Sequence, residues 1–576
     1  MREEDDAGLG SLVSVPFHGR TVRGWVVGPA TEPPSGRLLP VRKIRSAVRF
    51  FDAGMLDLLR WVSERYVAPL ATAIERSHPP RVVGEESAPV EPPAANRSAP
   101  LPASAALAVY GGERLLDPGT TTWLRPLPRD EVTACVAGVA ACLGSGRRAL
   151  ILVPEAEPLP ATAAAVLEAF GPRATGFLGG NPRERYRAWL DIRSGRFDVV
   201  VGTRPAVFAP LADLGLIWIS REVHPGHRED RAPYYHVREV AMARAGIEGA
   251  ACVLASLSPS VETVAAAGAG AVRVARAPRG AERDAAPLVE SVPPEAEDRS
   301  ARLGHLLKTA RSGVLLVSRT GYGVARVCRS CSEPAACATC HGPIVAERGR
   351  SFCRACGATG TCANCGGHEF GLERGGTERV AEWAKRQAGV RVELQDEATA
   401  PSDGRILVGT AAAVKDFGPR SVDLVAILDP DRALRRAGIH AGAQALATWM
   451  EAAAWAGPRT GVPRPGRVLV QTNRPGHPAI QSLVRWDPVP FLRSEAARRT
   501  EAGFAPNHPV FRIEGSAELP AALRSARPET LLATGAESGT VCLVAVRPEA
   551  LDVFRQAVLR LVSAGVVERV EAEPQL

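Results

Sequence analysis

Between residues 149 and 472 the chain carries eight short, continuous apolar runs: "ALILVP" from 149, "DVVVGT" from 198, "GLIWIS" from 215, "CVLAS" from 252, "GVLLVS" from 313, "RILVGT" from 405, "DLVAILD" from 423 and "RVLVQT" from 467. Runs of this length without polar alternation suit strands buried on both faces. Helix-like segments separate several of them, "EVTACVAGVAACLGSG" before the first and "RVAEWAKRQAG" before the sixth, which is the rhythm of βαβ units in a parallel sheet. Four runs precede a proline-rich stretch at 275–300 and four follow it, so the pattern predicts two doubly wound α/β lobes. Ligands of such sheets sit beyond the carboxyl ends of the strands, which makes the residues after each run candidates for chemistry.

The flanks read differently. Residues 11–30, "SLVSVPFHGRTVRGWVVGPA", alternate around small turns and predict a β-hairpin or small barrel. From Phe51 to Arg65, Met55, Leu58, Leu59 and Val62 recur at helical spacing, with Asp52 placed to cap the helix. Residues 84–106 carry proline, serine and alanine without periodicity and read as a linker. Near the end, helix-like "PAALRSA", strand-like "TVCLVAVRP" and helix-like "LDVFRQAVLRLVSAG" predict a small α+β domain. The resulting plan is a β-rich amino-terminal domain over 11–82, a linker or vestigial region over 83–120, a first lobe over 121–272 and a linker over 273–300. A second lobe follows over 301–327 and 366–475, interrupted by a cysteine module at 328–365, and a carboxyl-terminal domain over 476–576.

No apolar run approaches the roughly 18 to 20 residues needed to cross a bilayer, and the acidic start "MREEDDAGLG" does not read as a secretory signal. The expected compartment is the cytoplasm, without membrane contact. That compartment decides the meaning of the twelve cysteines. A reducing cytosol disfavours disulfides, so the eight gathered between 328 and 365 read as metal ligands, and the scattered Cys135, Cys142, Cys252 and Cys542 as buried core thiols. The formal charge of +8 would draw polyanions if it were gathered on one face; because arginine supplies nearly all of it, biased genome composition is the other explanation.

The eight cysteines form four Cys-x-x-Cys pairs. A two-residue gap turns both thiolates of a pair toward one ion, and tetrahedral zinc at roughly 2.3 Å Zn–S takes two such pairs. The gaps between pairs are five, twelve and five residues, a palindromic spacing that predicts nesting. Cys328, Cys331, Cys362 and Cys365 would share one zinc ion, and Cys337, Cys340, Cys353 and Cys356 a second. The inner loop "HGPIVAERGRSF" reads as a hairpin. Iron–sulfur ligation is the competing metal reading. Four thiolates close the coordination sphere, so both zincs read as structural, with His341 and His368 as neighbours rather than ligands.

The module is preceded by "VLLVSRTGYGVARVC" and followed by "FGLERGGTERVAEWAKR", and this ordering resembles the PriA family of primosomal replication-restart proteins, helicases of superfamily 2. "LGGNPRERYRAWLDIRSGRFDVVVGTRPAVFAPLADLGLIWI" resembles the family's stretch leading to its Walker B box, and "APYYHVREVAMARA" the stretch after it. "GSLVSVPFHGRTVRGWVVG" resembles the fork-binding domain and "RVLVQTNRPGHPAI" the closing strand of the second lobe, so the resemblance spans nearly the whole chain. It implies two RecA-like lobes, the two-zinc module inserted in the second, and a 3′-end fork-binding domain over 11–82. It also implies binding of stalled or branched forks and recruitment of primosome proteins that reload the replicative helicase.

The chain departs from the family at the sites of ATP chemistry. In place of a glycine-rich phosphate loop ending in Lys-Thr stands "WLRPLPRDEVTACVAG", with no lysine and with Asp130 and Glu131 facing the phosphate position. At the Asp-Glu-Glu-His box stand Ser220, Arg221, Glu222 and Val223, and the Ser-Ala-Thr motif is Ser256, Leu257 and Ser258. Trp455 and Pro458 occupy the places of the arginine fingers, with Arg459 one place late. A missing finger alone costs on the order of 10³ to 10⁵ in rate, and metal, lysine and arginine act together. The expectation is a helicase-shaped protein that is not an enzyme, with ATP binding unsupported by its residues. The chain also begins later than the family's first strand, and 84–120 is too short and proline-rich for the family's winged helix.

For DNA contact, the resemblance places Arg42 and Lys43 near the 3′ end of the nascent strand, and Arg319 and Tyr322 on a DNA-facing motif of the second lobe, with Tyr322 able to stack on a base. A solvated basic turn and ordinary loop packing are the alternatives. The function expected is binding of branched and single-stranded DNA with recruitment of primosome components. Its rivals are an active ATP-dependent 3′–5′ helicase and a protein-only structural adaptor.

Overall fold

The computed structural model describes the chain except for residues 1–6, 31–38, 89–101, 103–104, 296–298, 319–325, 332–334, 340–341, 343, 348–349, 354–355, 373–375, 436–437, 527–540 and 575–576. It divides into two units, Met1–Glu282 with Pro488–Leu576 and Arg283–Asp487. No helix among the described residues is long and apolar enough to cross a membrane.

In the first unit, β1 (Ser11–Phe17), β2 (Arg20–Trp25) and β3 (Lys43–Arg49) form an antiparallel sheet in the order β2-β1-β3. The two residues between β1 and β2, His18 and Gly19, have φ of 45° and 75°, the backbone that a two-residue hairpin turn demands. The helix Ala53–Arg65 starts where Asp52 accepts from the Met55 amide at 2.8 Å, and its Met55, Leu56, Leu58, Leu59 and Val62 are buried.

An all-parallel sheet follows, built from β4 (Thr121–Arg125), β5 (Arg148–Leu152), β6 (Ala174–Phe177), β7 (Val199–Gly202), β8 (Leu214–Ile219), β9 (Ala251–Ala255) and β10 (Arg273–Arg276) in the order β10-β4-β9-β8-β5-β7-β6. Every position of β7, β8 and β9 is buried, because both faces are covered; that is why these strands are spelled as unbroken apolar runs. The polar helix Pro182–Arg193 is fixed by a capping box between Asn181 and Glu184 and by burial of Tyr186, Trp189 and Ile192 along one face.

The second unit holds β11 (Leu288–Val292), β12 (Gly313–Val317), β13 (Arg326–Cys328), β14 (Ile344–Glu347), β15 (Arg350–Cys353), β16 (Phe370–Leu372), β17 (Arg391–Leu394), β18 (Arg405–Gly409), β19 (Leu424–Leu428) and β20 (Arg467–Gln471). Six of them make a parallel sheet in the order β11-β20-β19-β12-β18-β17. The other four form two antiparallel pairs, β13 with β16 and β14 with β15. The chain returns to the first unit at Pro488, where β21 (Val510–Gly515), β22 (Val541–Ala545) and β23 (Val567–Ala572) form an antiparallel sheet in the order β22-β21-β23. Phe511 and Ile513 of this sheet and Phe554 of the helix Leu551–Ser563 share one apolar cluster with Leu12, Phe50 and Leu58 of the amino-terminal part, with Ile217 of β8 and with Trp189 and Tyr235 beside the seven-stranded sheet.

All eight apolar runs are strands, and five further strands complete the two parallel sheets: β4, β6, β10, β11 and β17. These have four or five residues each, and the edge strands among them are partly exposed, so polar and apolar positions mix and no run stands out. Two of them fall inside 273–300, the stretch expected as a linker: β10 closes one edge of the first sheet against β4, and β11 one edge of the second against β20. The basic stretch 43–49, unassigned from the sequence, is the third strand of the amino-terminal sheet.

Candidate functional site

Cys328 ends β13 opposite Phe370 of β16, and Cys331, Cys362 and Cys365 lie in the turns and bridges beside that pair. Their four sulfurs lie within 4.8 Å of one another, with Cys328 and Cys365 at 3.5 Å and Cys331 and Cys362 at 3.8 Å. Cys337, Cys353 and Cys356 make a second group, with Cys337 and Cys356 at 3.8 Å. Cys340, the fourth ligand expected there, and His341 lie outside the described residues. Four sulfurs each about 2.3 Å from one ion stand about 3.8 Å apart, so this is thiolate-ligand spacing, far from the roughly 2.0 Å of a disulfide. The donor sets fit a metal ion bound wholly by sulfur.

Local backbone explains how these sulfurs converge. Gly357 and Gly366 directly follow Cys356 and Cys365, both with φ of 72°, and their amides donate to the carbonyls of Cys353 and Cys362 at 2.9 Å. Each closes its knuckle with a left-handed residue that glycine adopts without strain. Both were readable as "CRACG" and "CANCG", a signal that cysteine spacing alone passes over. The amides of Cys331 and Ser330 lower the Cys328 thiol, to about 6. His368 turns Nδ1 toward Gly360 O at 3.3 Å and Thr361 Oγ1 at 3.4 Å, away from the role of ligand.

The carboxyl edge of the seven-stranded sheet is where a nucleotide would lie in a fold of this kind. Between β4 and the helix Glu131–Gly144 the chain is held by its own side chains: the Tyr110 hydroxyl donates to Asp130 and accepts from the Leu127 amide at 2.9 Å. Burial raises the Asp130 carboxyl above its usual range. At the end of β8, Glu222 is completely buried and accepts from the Ser260 amide at 2.9 Å and the Thr263 hydroxyl at 2.7 Å, with Arg238 at 3.5 Å. Ser260 and Thr263 begin the helix Val261–Gly268, so Glu222 pins that helix to the sheet. Arg221 pairs with Glu155 at 3.0 Å, and the Ser220 carbonyl meets His227 Nε2 at 2.8 Å. In the second unit, Trp455 is buried against Phe417, ring centres 5.8 Å apart, and the Arg459 amide donates to Ala286 O at 3.0 Å.

Arg42 and Lys43 are exposed at the start of β3, where Arg42 donates to Thr21 Oγ1 at 2.8 Å. Arg319 and Tyr322 lie outside the described residues. The arginines the sequence reading passed over, Arg23, Arg45 and Arg185, line a cleft beside the same sheet.

A family model described as the PriA 3′ DNA-binding domain (3′BD) matches residues 1–79. The probable replication restart protein PriA of Mycobacterium tuberculosis is 30% identical over 558 residues, covering 91% of this chain and 84% of its own length. The replication restart protein PriA of Treponema pallidum is 28% identical over 564 residues, covering 87% and 81%. Among solved structures, RecG bound to a three-way DNA junction aligns with a TM-score of 0.40 and 14% identity over 77% of this chain and 51% of that one.

Proposed function

Since the chain belongs to the family of the replication restart protein PriA, we propose that it acts in replication restart as a DNA-binding assembly protein without motor activity. The match of residues 1–79 to a 3′ DNA-binding domain supports contact with forked and single-stranded DNA. In this reading the two parallel sheets are RecA-like lobes, the second carrying the cysteine module, and the chain recruits primosome components that reload the replicative helicase. Cys328, Cys331, Cys362 and Cys365 would hold one zinc ion and Cys337, Cys340, Cys353 and Cys356 the other. All-thiolate ligation leaves no position for water, so the zinc supplies cross-links that a small module lacks the core to replace.

Glu222 carries the argument against hydrolysis. The one carboxylate left at the expected magnesium box is consumed by Ser260, Thr263 and Arg238 in the interior, and Asp130 stands where a phosphate loop would offer amides. The test is ATP hydrolysis with and without a fork. The rate is expected to stay at that of the protein-free control while the protein shifts a fork in a native gel. Turnover well above the control would overturn the reading and identify an ATP-dependent 3′–5′ helicase. The shift should weaken steeply as salt rises, because phosphate contacts release counterions. Absence of any shift at low salt would identify a protein-only adaptor.

A further inference from the structure

A cleft of about 600 Å³ opens between the amino-terminal sheet, the segment after the helix Leu70–Arg76, and the helices and loops of the seven-stranded sheet. Arg23 and Trp25 of β2 and Arg45 of β3 face Arg185 and Phe177 across it, and in all six arginines line it against two glutamates. Of these charges, Glu229 is engaged by Arg231 at 3.1 Å and Arg204 at 3.8 Å, and Arg81 by Glu86 at 2.6 Å. Among the described residues no carboxylate stands within ion-pair distance of Arg23, Arg45 or Arg185. Three uncompensated guanidinium groups converging on one concave surface raise the local potential and draw an anion.

The hollow does not end there. A second one of about 360 Å³ shares Phe177, Arg185, Pro205, Glu229 and Arg231 with it and runs on to Gly179, Gly180 and Thr203, at the carboxyl ends of β6 and β7. Hollows of this size can hold a ligand of nucleotide dimensions. Trp25 offers an aromatic face within the basic wall, and its indole N–H has no partner among the described residues. Cations that follow a backbone, with an aromatic ring set among them, are what a single nucleic-acid strand needs.

We propose that this channel carries one strand of single-stranded DNA, with phosphates on Arg23, Arg45 and Arg185 and a base against Trp25. A strand held by the amino-terminal domain then continues onto the carboxyl edge of the seven-stranded sheet. The proposal rests on the DNA-binding reading above and extends it beyond residues 1–79 to Arg185, along a path that Arg42 and Lys43 do not line.

The test is fluorescence anisotropy of a labelled oligo(dT) across roughly 50 to 200 mM salt. Replacing three phosphate contacts in Arg23→Gln/Arg45→Gln/Arg185→Gln should lower affinity at least about tenfold at low salt and flatten the slope of log K against log salt by about 2. Arg185→Gln alone, outside the matched domain, should flatten it by about 0.7. Trp25→Ala should weaken binding about tenfold with the slope unchanged. Wild-type affinity and slope in the triple variant would overturn the channel. So would failure of the intact protein to bind oligo(dT) while it still shifts a fork, an outcome that leaves the DNA-binding reading standing; loss of both sinks the two together.

Discussion

Glu222 is closed off from solvent and held by its neighbours: one carboxylate oxygen serves Ser260 and Thr263 and the other faces Arg238. Glu222→Ala should therefore register as lost stability, about 2–4 kcal/mol in urea unfolding, because buried donors lose their acceptor. His227 sets a pH dependence. Its ring is fully buried, and burial, reinforced by Arg221, Arg238 and Arg204, presses its pKa to about 4. The unfolded chain binds this proton from about pH 6.5 downward while the folded chain refuses it until about pH 4, so stability falls as pH drops through that window. His227 should contribute a loss of about 2 kcal/mol between about pH 7.5 and 5, read in urea unfolding as the difference in pH dependence between the wild type and His227→Gln. Neither role is visible in the sequence, since each depends on neighbours from other strands and helices.

At the scale of elements, the legible parts were those whose signal is local. Strands such as β8, buried on both faces, have to be apolar at every position, and the four Cys-x-x-Cys pairs carry their ligand geometry in their spacing. The edge strands β10, β11 and β17 were not legible, because one side of each has no neighbour and tolerates charge. The cysteine module is where metal should be measured. Elemental analysis is expected to give about two zinc ions per chain, with Cys328→Ser/Cys331→Ser losing one and Cys353→Ser/Cys356→Ser the other. A pair of substitutions that leaves the zinc content unchanged would break the two-site assignment. Gly366→Ala should cost about 1–2 kcal/mol or weaken the outer site, since φ of 72° is unfavourable for alanine.

At the scale of the molecule, the first unit gathers segments from both ends of the chain around one apolar cluster. Phe554, 2% exposed near the carboxyl terminus, belongs to the same cluster as Leu58 and Trp189. Phe554→Ala should cost about 3–5 kcal/mol and move the near- and far-ultraviolet unfolding transitions of that unit together; a change confined to a minor early transition would mean that the terminal sheet folds by itself. What the sequence determined alone was the α/β class, the run of buried strands and the pairing of cysteines into knuckles, because each is written in spacings of a few residues. Only the tertiary structure decided that Glu222 holds a helix in the interior and that Arg23, Arg45 and Arg185 line one cleft. Those facts depend on residues far apart along the chain being close in space, and chain distance carries no record of that.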